Sequence, residues 1–566
     1  MEDTRWPRRG VAWVLASATF AIALYRLLPV ESDAQNRLFC LTLAFAVALP
    51  VAVVCGRIGF GILIAGALAG CVWLAIALKL AYLHEPLLAP DLRYFAGTTT
   101  LNVIAHYPAL WHKCVAALLG GALLAVLVWW LESPGWWRGR RVLMRGSVSL
   151  LALLPLLLVV WPQGPFRDIH KAKTWDFIAH AKRNPATAFL LSFARMQPDM
   201  PAYTPTAAVA YDWGNPPAAT SSAAAQRPDI VAVLEESTLD PRQWAICTVP
   251  RCTFPIFAPD AATDAYGLLK VHTYGGATWV SEFAFLTGLP HTLFGPAGVY
   301  APYNLAPRVR ETLPHQLKAL GYRTIAIYPM ARDFFGASDA YADYGFDEFH
   351  DAGELGLRWE STDADLVQRF EDLYRRERAR DDRPLFFMLL TMRQHGPHDK
   401  PLDALPPPWN APLPGADARL NRNLGTYLFR LHQSSDALAD LRRFLFADSR
   451  PAVLVHFGDH HPAFDGIEST LQSALPEELH AEAPDLTYYR IDSNSDPAKF
   501  GPYRTLDLAF LAGLVLDVAG LPKNAYFEAN TRLRERCGGR FEDCPQHPLL
   551  DSYLAYTLGK LHAFAE

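Results

Sequence analysis

Asp229-Ile230-Val231-Ala232-Val233-Leu234-Glu235-Glu236-Ser237-Thr238 is a short apolar run that ends on two carboxylates. A continuous apolar stretch of this length suits a strand buried on both faces, as in a parallel sheet. Its C-terminal end, where Glu235 and Glu236 follow, is the edge at which ligands collect in open α/β sheets. Working outward, the same pattern of helix then strand recurs. A helix over 313–320 leads to a strand over 324–328, and a charged helix over 363–378 to a strand over 385–390. The second strand ends in Thr391-Met392-Arg393-Gln394-His395-Gly396-Pro397-His398. A long amphipathic helix over 424–446 precedes a strand over 452–457, which ends in Gly458-Asp459-His460-His461. A further strand is expected over 485–491 and a late helix over 506–519. This alternation predicts a mainly parallel central sheet with helices on both faces.

Between the first two strands of this series lies Thr273-Tyr274-Gly275-Gly276-Ala277-Thr278-Trp279-Val280-Ser281-Glu282-Phe283. The paired glycines permit a tight turn. Beyond them Trp279, Phe283, Leu286 and Leu289 recur at helical spacing. Thr278 therefore sits at or near a helix N-terminus, where free N–H groups and the helix dipole favour an anion. A threonine alkoxide held there could attack phosphorus; an ordinary N-cap threonine is the alternative.

Three strand ends thus present Glu235/Glu236, His395/His398 and Asp459/His460/His461, and the turn at Thr278 can meet them. Carboxylate, imidazole and hydroxyl donors suit one divalent metal, Zn2+ or Mn2+. Each group has an ordinary structural use, but their joint placement at one sheet edge points to a metal site.

Leu234-Glu235-Glu236-Ser237, Gly276-Ala277-Thr278-Trp279-Val280-Ser281-Glu282-Phe283 and Phe457-Gly458-Asp459-His460 resemble the motifs of the alkaline-phosphatase/sulfatase superfamily. Within it the chain is most similar to the membrane-anchored lipoteichoic acid synthase and phosphoglycerol transferase group, with lipid A phosphoethanolamine transferases as near cousins. Leu313–Asp351, with Tyr344-Gly345-Phe346-Asp347-Glu348-Phe349, strengthens the first comparison. The resemblance implies Glu236, Thr278, Asp459 and His460 as metal ligands, with Thr278 also the nucleophile. It selects Glu236 over Glu235 because the family places Glu-Ser directly after the buried strand. It implies a catalytic, phosphate-contacting role for His395, and His398 and His461 are further substrate-binding candidates. One departure concerns the headgroup: the group places a Trp and an Arg where this chain has Phe334-Phe335-Gly336-Ala337-Ser338-Asp339-Ala340-Tyr341, and Arg332 is the residue left to supply that charge. Cys252-Thr253-Phe254-Pro255 lacks the run from which a true sulfatase makes formylglycine.

The N-terminal part differs in character. Over 566 residues the net charge is −5, which leaves no nucleic-acid footprint. Five apolar runs reach or approach spanning length, ~20 residues: Val11–Leu28, Leu38–Cys55, Phe60–Leu83, Cys114–Leu131 and Gly146–Trp161. Arg5, Arg8, Arg9, Arg57, Arg138, Arg140, Arg141 and Arg145 all fall on one side of a five-span arrangement, which is then cytoplasmic. The expected organisation is an α-helical transmembrane bundle over 1–162, connecting helices and a linker over 163–227, and an extracytoplasmic α/β catalytic domain over 228–566. The location is a bacterial inner membrane. Cys247/Cys252 and Cys537/Cys544 read as local disulfides in an oxidising compartment, with a zinc–thiolate site as the alternative.

The reaction expected is transfer of phosphoglycerol or phosphoethanolamine from a membrane phospholipid to an envelope glycan or glycolipid through a phosphothreonine. A phosphodiesterase that uses water, or a non-catalytic envelope assembly protein, are the rivals.

Overall fold

A computed structural model of the protein describes residues 5–83, 86–94, 108–133, 147–148, 150–170, 183–193, 197–214, 226–464, 467–495, 500–501 and 503–565. The chain forms two compact units, residues 1–81 with 85–196, and residues 82–84 with 197–566.

In the first unit, helices α1 (Arg5–Leu27), α2 (Ala34–Cys55), α3 (Ile58–Leu83) and α4 (Pro108–Leu131) carry four stretches long and apolar enough to cross a membrane. Large apolar side chains point outward on them, Val54 and Leu118 among others, as a lipid-facing surface requires. The expected fifth span over 146–161 is described only in part. Residues 146 and 149 lie outside the described residues, and Leu150–Val160 is a shorter apolar helix. At 1.5 Å per residue it extends only about 16 Å, roughly half a hydrocarbon core.

The second unit is built on one eight-stranded sheet. Its strands are β1 (Asp229–Glu235), β2 (Thr263–Lys270), β3 (Arg323–Tyr328), β4 (Glu348–Asp351), β5 (Leu385–Leu390), β6 (Ala452–Gly458), β7 (Leu486–Ser493) and β8 (Leu506–Asp507). Their order is β4-β3-β5-β1-β6-β7-β2-β8. The pairs from β4 through β6 are parallel, and β7 runs antiparallel to both β6 and β2.

Period-2 alternation divides the sheet between two cores. Ile230, Ala232 and Leu234 enter one, with Phe386, Met388, Val453 and Val455. Val231 and Val233 enter the other, with Phe387, Leu389 and Leu454. Helix α5 (Thr278–Thr287) covers the first face; α6 (Asp363–Arg380) and α7 (Ala418–Leu445) cover the second. Helix α6 starts on a capping box between Thr362 and Asp365. Helix α7 starts before the expected 424 because Asp417 caps the amide of Leu420. Helix α8 (Leu511–Val518) is shorter than the expected 506–519, since Leu506 and Asp507 pair with β2 instead. Disulfides join Cys247 to Cys252 and Cys537 to Cys544, so these thiols are not zinc ligands.

Candidate active site

Strands β5, β1 and β6 are neighbours, so their C-terminal ends lie side by side. Glu235 continues the side-chain alternation of β1 and falls on the face of Val231 and Val233. There it accepts hydrogen bonds from Tyr488 Oη and bonds His456 Nδ1 at 3.1 Å. Glu236 lies beyond the strand and turns the other way, helped by the left-handed backbone of Ser237 (φ 49°). Its amide donates to Thr391 Oγ1 at the end of β5, 3.1 Å away. Its Oε1 accepts from Ser237 Oγ at 2.8 Å.

Thr278 Oγ1 donates to Glu236 Oε2 at 3.0 Å and lies 3.4 Å from His460 Nε2. The threonine is the first residue of α5, not its N-cap. Ala277 is the N-cap, with φ 63° and ψ 43°, and makes no side-chain cap bond. A left-handed alanine costs about 1 kcal/mol. It aims Thr278 at Glu236 from the N-terminus of α5. Trp279 then stacks on Phe335 with ring centroids 3.8 Å apart, so Phe335 packs one residue from the nucleophile candidate. Ser281 Oγ is spent on the carbonyl of Asp459, 2.8 Å away.

Asp459 is fully buried. Its Oδ1 accepts from the amides of Ser237 and His460, both at 2.7 Å. Its Oδ2 is buried, lies 3.2 Å from His460 Nε2, and has no hydrogen-bond partner. Glu236, Asp459 and His460 place one potential ligand atom each within 4.8 Å of one another. Burial, and next the charge of Glu236, push Asp459 well above the usual carboxylate range. Burial works on Glu236 too, but His460 and His395 outweigh it and hold its carboxyl below the usual value. Burial lowers His460 against the pull of Glu236. Two buried carboxylates that cannot both ionise, an orphaned oxygen and an imidazole form a donor set that a divalent cation fits.

The remaining expected residues fall in different places. His395 Nδ1 bonds the carbonyl of Gly396 at 2.9 Å, which leaves Nε2 for other contacts, and its ring meets Trp359 edge-on. His395 acts electrostatically on Glu236. His398 is buried among Tyr427 and Phe464, with Nε2 unpartnered. His461 has both ring nitrogens occupied, by Glu468 Oε1 and the carbonyl of Leu486, each at 2.8 Å. It presents no free nitrogen to a substrate. Arg332 binds Asp351, Glu354 and the carbonyl of Phe349 beyond β3, so its charge is committed to the end of β4.

Two residues of the site have no signal in the sequence. Asp363, at the start of α6, accepts from the amides of Met392 and Arg393 and so holds the loop that carries His395. Glu282, one turn along α5 from Thr278, is buried. Burial, and the charges of Asp459 and Glu236 beyond a bond from Tyr341, push its carboxyl up to about 8.

With this geometry in view, residues 228–493 match the Sulfatase family, and this part of the chain is a sulfatase-family domain. The chain is 31% identical over 343 residues to an uncharacterised protein of Haemophilus influenzae, covering 58% of this chain and 60% of that one. It is 30% identical over 246 residues to the capsular polysaccharide biosynthesis protein RkpI of Rhizobium meliloti, covering 42% of each. The chain therefore spans less than two thirds of the length of either relative. Among solved structures it resembles the phosphoglycerol transferase GacH of Streptococcus pyogenes, with a TM-score of 0.50 and 18% identity, over 65% of this chain and 99% of that one. That likeness concerns the fold.

Proposed function

We propose that the protein transfers a phospho-alcohol headgroup, phosphoglycerol or phosphoethanolamine, from a membrane phospholipid to a hydroxyl of an envelope glycan or glycolipid, by way of a phosphothreonine. The observation that carries this reading is Thr278 Oγ1, held 3.0 Å from Glu236 Oε2 at the first residue of α5, beside Asp459 and His460. The reaction class follows the phosphoglycerol transferase that shares the fold. The acceptor class follows the relative named for capsular polysaccharide synthesis.

In this reading Thr278 Oγ1 attacks the headgroup phosphorus, and its proton passes to Glu236 Oε2. The positive end of the α5 dipole draws the phosphoryl oxygens in. The bond from phosphorus to the diacylglycerol oxygen breaks, and His395 Nε2 protonates the leaving alcohol. An acceptor hydroxyl then attacks the phosphothreonine and gives its proton to His395, while Thr278 recovers its own. Glu236, Thr278, Asp459 and His460 would hold one Zn2+ or Mn2+. Such a metal, when bound, lowers the pKa of a ligating hydroxyl and offsets phosphoryl charge. The N-terminal helices would keep the site beside its lipid donor in a bacterial inner membrane, with the catalytic domain outside the cytoplasm.

The test is to incubate the full chain with headgroup-labelled phosphatidylglycerol and phosphatidylethanolamine and to map the label by mass spectrometry. A labelled Thr278 peptide is expected with one of the lipids. Product formation with an unlabelled Thr278 overturns the covalent route.

A further inference from the structure

Away from the Thr278 site, the sulfatase-family domain carries a cleft of about 430 Å³ floored by Gln243, Trp244, His461 and Glu468 and rimmed by Ser473 and His480. Its polar lining mixes acceptors and donors, from the Glu468 carboxylate to the amides of Gln243 and Gln472 and the hydroxyl of Ser473. Glu468 Oε1 takes bonds from Trp244 Nε1 at 3.1 Å and pairs with His461 Nδ1 at 2.8 Å. Among the described residues its second oxygen, Oε2, accepts nothing. Gln243 is 6% exposed. Its Nε2 reaches the carbonyl of Thr487 at 3.4 Å, while its Oε1 is buried with no partner.

An under-used carboxylate oxygen among amide and hydroxyl side chains asks for a ligand that both donates and accepts hydrogen bonds. None of the residues that line the cleft is Lys or Arg, and a carboxylate sits on its floor, so a phosphate or another anion is disfavoured. Glu468 already faces two donor groups, and Gln243 is a neutral amide, so the cleft lacks the surplus negative charge that a cation needs. Hydroxyl groups meet every requirement. Gln243 also borders a second cleft, of about 370 Å³, walled by Phe257, Tyr266 and Tyr489. Tyr266 is 52% exposed there, and an exposed aromatic ring is a platform for the apolar face of a sugar. A chain of linked sugars could therefore continue past Gln243. His461 is the residue after His460, so a saccharide on this floor sits against the backbone that carries the metal-ligand candidate.

We propose that the cleft at Gln243 and Glu468 binds neutral saccharide units of the acceptor glycan. The proposal rests on the reading of the protein as a transferase to a glycan.

The test uses the full-length protein in detergent on an array of neutral, amino-containing and acidic saccharides, beside two variants, Gln243→Leu on the floor and Ser473→Trp at the rim. The wild type is expected to retain neutral saccharides. Each variant that keeps the wild-type melting midpoint should bind them at least tenfold more weakly while turning over a soluble chromogenic phosphodiester within twofold of the wild type. A wild type that retains no neutral saccharide, or only amino-containing ones, overturns the proposal. So does wild-type binding in a folded variant. Because binding is read without turnover, loss of the phosphothreonine reading would appear in the Thr278 labelling and leave this measurement unaffected.

Discussion

Asp459 Oδ1 accepts the backbone amide of Ser237 at 2.7 Å, so the carboxylate at the end of β6 fixes the turn that swings Glu236 away from β1. Its other oxygen is left unpartnered beside His460. The two oxygens do separate jobs, and Asp459→Asn separates them. The amide oxygen still accepts from Ser237, so the fold should persist. The charged ligand atom is lost, and metal affinity should drop at least about tenfold. Metal content after dialysis, measured by mass spectrometry beside far-UV circular dichroism, checks this. Wild-type occupancy would remove Asp459 from the ligand set.

Thr278→Ala deletes the attacking oxygen but no helix cap, since Ala277 occupies that position. Glu236 keeps its bond from Ser237. The stability loss should stay near 1 kcal/mol, the scale of one hydrogen bond, while transfer falls to background. Thr278→Ser keeps an oxygen and should retain partial activity. Near-normal transfer by Thr278→Ala would rule out Thr278 as the nucleophile.

Gly458 precedes Asp459 at a point where the chain passes very close to the turn after β1. A Cβ on Gly458 would lie 1.8 Å from the carbonyl oxygen of Thr238. Gly458→Ala must displace backbone, at about 3 kcal/mol or more, the upper end of overpacking. A thermal unfolding midpoint equal to that of the wild type would contradict the close approach.

His272 is buried at the start of the loop that leads to Thr278 and lies 3.0 Å from Asp507. Burial alone would lower its pKa, but Asp507, with a smaller part from Glu542, raises it from 6.5 to about 9. A raised folded-state value stabilises fully below pH 6.5, and the gain is lost as pH climbs towards 9. The amount at stake is on the order of 3 kcal/mol. Unfolding midpoints should fall between these pH values in the wild type and fall less in His272→Gln. Parallel pH profiles for the two proteins would remove this ion pair from the account.

Arginine placement predicts that the C-terminal domain lies outside the cytoplasm. A phosphatase reporter fused after Pro162 should be active and one fused near Arg140 silent. Silence of both reporters would mean that the short apolar stretch around Leu150–Val160 does not cross the bilayer, and the opposite pattern that the orientation is inverted.

The sequence by itself determined the class of fold and the strand ends from which the candidate site is drawn. Ile230–Leu234 and Leu385–Leu390 are apolar at every position, and Ala452–Phe457 at every position but His456, which only a doubly covered strand needs, and the residues that follow such runs come to the sheet edge. The pair Glu235/Glu236 and the run Asp459-His460-His461 were legible for that reason, and Thr278 because two glycines and a helical apolar pattern surround it. What the sequence left open was the direction of each side chain and the order of the strands. Glu235 and Glu236 are adjacent and chemically alike; the pleat of β1 and the turn at Ser237 send one to Tyr488 and the other to Thr278. His460 and His461 part in the same way, one towards Glu236 and the other towards Glu468. β2 and β4 carry no continuous apolar run and are strands only because β7 and β3 lie beside them. Asp363 supports the loop of His395 because α6 packs under the end of β5. These are contacts between residues far apart in the chain. Periodicity is a local property and does not encode them, so the tertiary structure decides them.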